Sequence, residues 1–434
     1  MRKKIPLVIG LGITGQSIVN YLSHSHDEFF LIEEWEDNPY LKEINKLDST
    51  VHLNPKIDDE LFSKVSEIYP SPGIPYNHDV FSYAHKHEIN ITSDIKEYIE
   101  KNRSTKILVT GTNGKTSSCL ILTSLFQSFF PNLRIATLGN IGEPVLSHIK
   151  KDLDLSIIEV SSFQLELLGE IEFDIGLLLN IEQDHLDRHK NFEDYKDIKY
   201  SILKNSRHNI SFEKMNFFSK DFINYKNFKL PKELSNSEIF KYWPSHDIEN
   251  LKASLATLDC YFRNFTNLSL EDINLASALE KAFKDHTKPP HRFEYLGQVN
   301  GVNYINDSKA TNIDATLKAI KATIELTKKG DIYLICGGDL KEQDISSTNM
   351  SDMRKVKQAF IYGKDKEIIR ESINQHTKSI CILDLEAAVN HTSVLSKKGD
   401  YVILSPACSS LDMFKDYKER GEKFKNLIQE LREE

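Results

Sequence analysis

The sequence predicts an α/β protein made of three consecutive domains, and three observations carry that expectation. Its 434 residues are too many for one ordinary hydrophobic core. Short apolar runs alternate with helical patterns from beginning to end, the signature of βα units and parallel sheets. Two of those runs pass through a glycine-bearing loop into a helix, the kind of junction at which open α/β sheets hold phosphates.

The first unit has strands over 6–10 and 29–33 around a helix over 14–23, then a turn at Ser71-Pro72-Gly73-Ile74-Pro75. The second opens with a strand over 106–110, passes the second glycine loop and enters a helix over 115–130. Further strands are expected over 156–160 and 174–179. Between 205 and 243 the pattern turns polar, aromatic and irregular, as small strands or excursions do, before a helix over 248–262. The consecutive prolines of Lys288-Pro289-Pro290-His291 cannot continue a helix and mark a linker. A third βα series follows, with strands over 302–306, 332–336, 359–362, 379–383 and 401–405. The domains are expected at 1–98, 99–288 and 289–434, with no repeat of solenoid length and no low-complexity tract.

A composition of 40% hydrophobic and 27% charged residues is that of a soluble globular chain, and no apolar run is long enough to insert into a membrane. The basic Met1-Arg2-Lys3-Lys4 leads at once into a strand rather than a signal-peptide segment, so a cytoplasmic location is expected. Five cysteines without a C-x-x-C pair read as reduced core thiols, and Cys408 has no histidine near it in sequence to make it a nucleophile. A net charge of -9 argues against nucleic acid and leaves small molecules as partners.

Gly10-Leu11-Gly12-Ile13-Thr14-Gly15 lets backbone approach a diphosphate at a helix N-terminus, and Glu33 ends the next strand. Alone, the motif fits a nicotinamide-dinucleotide site and a plain glycine turn equally well. Gly111-Thr112-Asn113-Gly114-Lys115-Thr116 says more: free N–H groups, the helix dipole and a lysine together stabilise triphosphate charge, and Thr116 can ligate magnesium. Standard spacing puts glycine at 109, where this chain has Val109, so a shorter phosphate loop is expected.

Glu159, at a strand end, is a candidate magnesium ligand. Such an acid more often caps the next helix, although Ser161 and Ser162 can serve that role instead. Asp184-His185 follows the strand ending at Asn180, near the same crevice, where an isolated histidine is more often merely hydrogen-bonded than metal-bound. Lys199 lies in a helical stretch, where a solvated surface lysine is the ordinary reading. Asn306-Asp307-Ser308-Lys309-Ala310-Thr311-Asn312 unites an acid, an ammonium and hydroxyls after a strand, and capping does not account for Lys309. Gly337-Gly338-Asp339 and Ser405-Pro406-Ala407-Cys408-Ser409-Ser410 are further strand exits of the same domain.

Together these residues resemble the Mur ligase family, most closely its D-glutamate-adding members, over nearly the whole chain. The family-wide marks are Gly111 to Thr116, Glu159-Val160-Ser161-Ser162-Phe163-Gln164-Leu165-Glu166, Asn180 with Asp184-His185-Leu186-Asp187, and His291-Arg292-Phe293-Glu294. The narrower marks are Ser71-Pro72-Gly73-Ile74, Gly139-Asn140-Ile141-Gly142, Asn306 to Asn312, and Ser405-Pro406-Ala407-Cys408 running on to Phe414, Arg420 and Gly421.

The resemblance implies a Rossmann-like N-terminal domain that binds a UDP-sugar, a central P-loop-type mononucleotide-binding ATPase domain, and a C-terminal Rossmann-like domain that carries the incoming amino acid. It implies a monomer that joins UDP-N-acetylmuramoyl-L-alanine (UDP-MurNAc-L-Ala) to D-glutamate (D-Glu). ATP becomes ADP and phosphate through an acyl phosphate, and positioning with charge neutralisation does most of the work.

By resemblance, Gly12, Ile13, Thr14, Glu33, Trp35, Ser71, Pro72, Gly73 and Asn140 meet the UDP-sugar. Gly111, Thr112, Asn113, Gly114, Lys115, Thr116, Asn250, Arg292 and Asp307 meet ATP. Thr116 and Glu159 hold one Mg2+, and His185 helps to hold a second. Lys199 matches the family's carbamylated lysine, whose carbamate is an anion formed by adding carbon dioxide to a neutral amine. Lys309, Thr311, Lys341, Ser410, Leu411 and Tyr417 match amino-acid contacts. Three departures stand out. Glu33-Glu34-Trp35 replaces a frequent acid-Thr-Arg, so Trp35 is expected to stack on uracil. Tyr417 replaces a frequent phenylalanine. Ser245-His246-Asp247 replaces Gly-x-His-Asn before the adenine position Asn250.

Rival readings leave residues unexplained. A nicotinamide oxidoreductase does not need the second loop or Glu159. Folylpolyglutamate synthase lacks the N-terminal loop domain, and the other Mur enzymes lack the Ser-Pro-Ala-Cys segment. A catalytically dead regulator has no use for Lys115, Glu159, His185 and Lys199.

Overall fold

The structure is a computed structural model. It describes residues 4–75, 77–184, 188–189, 191–214, 222–230, 240, 243–266, 268, 270, 273–283, 290–327, 329–341, 343, 345 and 348–433. Three sheets succeed one another along the chain.

The first sheet contains β1 (Ile5–Ile9), β2 (Glu28–Ile32), β3 (Thr50–Leu53), β4 (Val65–Pro70) and β5 (Asn90–Ile91), all parallel, in the order β3-β2-β1-β4-β5. Every residue of β1 is buried, as a strand covered on both faces requires. Strand order reverses between β1 and β4, so the exits of these two strands form a crevice. That crevice holds both the first glycine loop and the turn beginning at Ser71.

The second sheet contains β6 (Thr105–Thr110), β7 (Ile135–Gly139), β8 (Leu155–Glu159), β9 (Phe173–Leu178), β10 (Ser206–Ser211) and β11 (Phe222–Asn224). All are parallel, in the order β11-β10-β9-β6-β8-β7. The glycine loop leaves β6 between β8 and β9, so the exits of those neighbours flank it. The irregular stretch includes β10 and β11, and a helix occupies Ser245–Phe265, longer at both ends than expected.

The third sheet contains β12 (Glu294–Val299), β13 (Val302–Asn306), β14 (Ile332–Gly337), β15 (Val356–Tyr362), β16 (Lys378–Cys381) and β17 (Tyr401–Leu404), in the order β12-β13-β17-β14-β15-β16. It is mixed rather than wholly parallel, because β12 runs antiparallel to β13. Asn300 and Gly301 join that pair with φ of 51° and 80°, the left-handed geometry of a two-residue hairpin turn.

The chain packs as two compact units. One comprises Met1–Ile181, Arg188–Lys229 and Leu251–Ala282; the other comprises Glu182–Asp187, Leu230–Asn250 and Phe283–Glu434. In the first, one apolar cluster runs from Val8 and Phe29 through Tyr98 to Leu108, Ile158 and Leu178. The connection between its sheets is pinned: Tyr98 Oη and Ser104 Oγ each lie 2.7 Å from Ser156 Oγ, and buried Lys106 Nζ donates to the Ser104 carbonyl at 2.7 Å.

Candidate active site

At the β1–β4 crevice, Gly15 lies in the first turn of the helix Ile13–Ser23, against the loop. A Cβ there would lie 2.0 Å from the Gly10 carbonyl oxygen, so only glycine lets helix and strand meet. Ser71 Oγ donates to the same carbonyl at 2.8 Å and ties the two exits together. Glu33 is buried and accepts from Leu11 N at 2.6 Å, Trp35 N at 2.8 Å and Asn38 Nδ2 at 3.1 Å. Its carboxylate therefore shapes the glycine loop. Around it Gly12, Ile13 and Gly73 are exposed, Thr14 and Pro72 are half-buried, and Trp35 presents 59% of its surface.

The second loop is held from below by Asn180. Asn113 N donates to Asn180 Oδ1 at 2.9 Å, Asn180 Nδ2 returns a bond to the Asn113 carbonyl at 3.0 Å, and Thr112 N donates to the Asn180 carbonyl at 3.0 Å. Lys115 folds back so that Nζ donates to the carbonyls of Gly111 and Thr112 at 2.8 and 2.9 Å. The ammonium thus sits over the loop at the N-terminus of the helix Lys115–Phe129, where an anion gains from both charge and dipole.

Three segments meet at Glu159. Thr116 Oγ1 donates to its Oε2 at 2.8 Å and Asn140 Nδ2 to its Oε1 at 2.9 Å. Gly139 brings Asn140 there: at φ +96°, a Cβ on it would lie 2.4 Å from the Glu159 carbonyl oxygen. Glu159 does not cap the next helix, because Ser161 and Gln164 close a reciprocal capping box. The carboxylate is 2% exposed and makes no ion pair among the described residues. A buried anion in that state is suited to a hard divalent cation, for which Thr116 and Glu159 both supply oxygen.

Lys199 overturns the ordinary reading of a solvated lysine. It is 1% exposed on the helix Phe192–Lys204, with Nζ 3.1 Å from the Gly111 carbonyl oxygen, 3.4 Å from Thr110 Oγ1 and 4.9 Å from the centre of the Tyr195 ring. Tyr195 Oη in turn lies 2.9 Å from Thr112 Oγ1. His185 lies outside the described residues. Thr110 and Tyr195 join the site without any signal in the sequence, whereas Asn180 stands among the marks of the resemblance, though its supporting role under the loop does not.

In the second unit, the exits of β13, β14 and β17 carry the remaining candidates. Asp307 accepts from Phe293 N at 3.0 Å and from Ser405 Oγ at 3.0 Å. Burial pushes its carboxyl up to about 7 against the pull of these bonds and of Arg292. Lys309 Nζ lies 4.0 Å from the centre of the Tyr417 ring, a cation–π contact that requires an aromatic side chain there. Lys341 is exposed on a left-handed residue at φ 50°, its N–H donating to Asp339 Oδ1 at 2.8 Å. Lys364 Nζ holds the other Asp339 oxygen at 3.0 Å. Ser410 is buried, Leu411 exposed and Thr311 half-buried, while Asn250 is buried in the helix Ser245–Phe265.

Fold and site define a three-domain α/β protein whose strand exits are built for phosphate groups. Comparison with known proteins carries this further. Residues 4–93 match the Mur ligase MurD-like N-terminal domain, 109–256 the Mur ligase middle domain, and 291–408 the Mur ligase glutamate ligase domain. A protein of Francisella philomiragia named UDP-N-acetylmuramoylalanine--D-glutamate ligase is 32% identical over 448 residues, covering 98% of this chain and 97% of its own. The chain belongs to the Mur ligase family. Among solved structures, the MurF ligase of Thermotoga maritima in complex with ADP has the same fold, with a TM-score of 0.60 at 16% identity over 95% of this chain and 96% of its own. Escherichia coli FolC in complex with DHPP and ADP aligns with a TM-score of 0.55 at 15% identity, over 83% of this chain and 99% of its own.

Proposed function

We propose that this chain joins the alanyl carboxylate of UDP-MurNAc-L-Ala to the amine of D-Glu, with conversion of ATP to ADP and phosphate. Family membership and the relative's activity support the reaction. The observation that carries the reading is the corner at which Thr116 and Asn140 converge on buried Glu159 beside the Lys115 loop.

The chain's residues divide the work. The N–H groups of the loop and Lys115 bind the polyphosphate and bear the charge that develops as the γ-phosphoryl moves. Asn140 orients the alanyl carboxylate, and Asn250, Arg292 and Asp307 meet the nucleotide. Lys309, Thr311, Lys341, Ser410, Leu411 and Tyr417 hold the amino acid, with Lys341 on a carboxylate. Gly12, Ile13, Thr14, Trp35, Ser71, Pro72 and Gly73 line the UDP-sugar site, and Glu33 acts by shaping its loop.

Thr116 and Glu159 would hold a magnesium ion, with His185 and a carbamate on Lys199 toward a second; bound there, the metal neutralises phosphoryl charge. The carbamate forms when the neutral Nζ of Lys199 attacks carbon dioxide and releases a proton to solvent. The reading takes 1–98, 99–288 and 289–434 as the domains of a cytoplasmic monomer.

The test is phosphate release from ATP with magnesium and UDP-MurNAc-L-Ala, adding D-glutamate, L-glutamate, L-lysine or meso-diaminopimelate in turn. Turnover with D-glutamate is expected; none with it, or turnover with another acceptor instead, overturns the assignment.

A further inference from the structure

Arg420 lies on the helix Tyr417–Glu433 and is 0% exposed. Its Nε donates to Ser308 Oγ at 3.0 Å, and its Nη2 donates to the carbonyls of Ser308 and Cys408 at 2.8 and 3.2 Å. Ser308 Oγ in turn donates to the Tyr417 carbonyl at 2.8 Å. One guanidinium therefore fastens the exit of β13, the exit of β17 and the start of the last helix. Each anchor adjoins an amino-acid candidate: Ser308 precedes Lys309, Cys408 stands two before Ser410, and Tyr417 is itself one.

Among the described residues no carboxylate lies in direct contact with this side chain. Arg420 makes no ion pair among the described residues, and the buried Tyr362 hydroxyl, the side chain that comes within hydrogen-bonding reach of its guanidinium besides Ser308, carries no charge. Asp412 is the carboxylate whose field reaches the guanidinium, and its Oδ2 instead accepts the backbone N–H of Lys364 at 2.9 Å. A buried cation costs stability unless it is paired, and arginine does not escape by losing its proton. An apolar side chain of similar length would pack here without that cost. A charge in low dielectric also acts over a greater distance than one in water.

We propose that Arg420 is a positioning residue for the incoming amino acid: it fixes the loops bearing Lys309 and Ser410, and its charge beneath them, engaged in no ion pair among the described residues, favours a dicarboxylate over a neutral amino acid. This rests on the reading that the C-terminal strand exits bind D-glutamate. D-glutamine, the same shape without the side-chain charge, is the comparison substrate.

In the full-length enzyme, Arg420→Gln is expected to lower the kcat/KM ratio of D-glutamate to D-glutamine by about tenfold, with the KM values for ATP and the UDP-sugar within about twofold of wild type. Arg420→Lys keeps the charge without the planar fork. It is expected to raise the D-glutamate KM while holding that ratio within about threefold. Ser308→Ala, which removes one anchor and leaves the charge, should behave like the lysine variant and decides the matter if Arg420→Gln does not fold. A ratio unchanged in Arg420→Gln, a ratio lost in Ser308→Ala, or KM values for all three substrates rising together overturns the proposal. Absence of D-glutamate turnover in the wild type overturns the underlying reading instead.

Discussion

The Thr116 hydroxyl donates to the Glu159 carboxylate at 2.8 Å, joining two residues 43 positions apart at the mouth of the phosphate loop. With Asn140 on its other oxygen, each Glu159 oxygen accepts one hydrogen bond and keeps acceptor capacity, yet the carboxylate makes no ion pair among the described residues. Glu159→Gln keeps the shape and removes the charge. Magnesium-dependent phosphate release is expected to fall by about two to three orders of magnitude. The variant without metal should melt no lower than wild type, since it loses a buried unpaired charge, while the stabilisation that magnesium gives the wild type disappears. Thermal melts with and without magnesium check this, and equal magnesium stabilisation in both proteins would refute it.

Lys199 is expected to be modified. Lys199→Ala should lose phosphate release almost entirely and regain part of it with a short added carboxylate, which restores an anion where the carbamate stood. Carbon-13 NMR with labelled carbon dioxide should give a carbamate signal in wild type that Lys199→Ala lacks. Loss of activity without that signal would make the lysine an ammonium contact of the Gly111 carbonyl and nothing more.

The parts of this site that local rules set were legible in the sequence. Gly15 must be glycine because helix and strand meet there, and a strand-loop-helix pattern already implies it. The Asn300-Gly301 hairpin obeys an equally local rule, yet the parallel βα pattern around it masks the signal. Ser161 and Gln164 stand at capping-box spacing, and that spacing alone frees Glu159 from capping. Burial of Lys199 has no such signal, because a lysine on a polar helix is ordinary and only packing beneath Gly111 makes it otherwise. Thr110 and Tyr195 reach the same place from separate segments, so no spacing along the chain relates them.

Trp35 stands exposed two residues beyond Glu33, whose carboxylate holds the Trp35 N–H at 2.8 Å. A fixed backbone under an exposed indole is a platform for a flat ring. Trp35→Ala is expected to raise the KM of the UDP-sugar by about tenfold, with the ATP KM unchanged, and Trp35→Phe to recover most of the loss. Steady-state kinetics with each substrate varied in turn measure this; an unaltered UDP-sugar KM in the alanine variant rules out stacking.

Asp307 sets a pH dependence in the C-terminal domain. Burial raises its carboxyl from an ordinary 3.8 to about 7, and Asp247 pushes the same way, while Phe293 N–H, Ser405 Oγ and Arg292 oppose the rise. Between those two values the folded protein holds a proton that the unfolded chain has released. The contribution of Asp307 to stability is therefore fully present below about pH 4 and is lost as pH rises through about 7. Asp307→Asn cannot titrate, so wild type should lose melting temperature relative to this variant as pH rises from about 5 to about 8. Scanning calorimetry at matched ionic strength checks the sign. A gap between the two proteins that stays constant across that range would mean that Asp307 is already ionised in the fold, its charge borne by Arg292 and the Phe293 N–H.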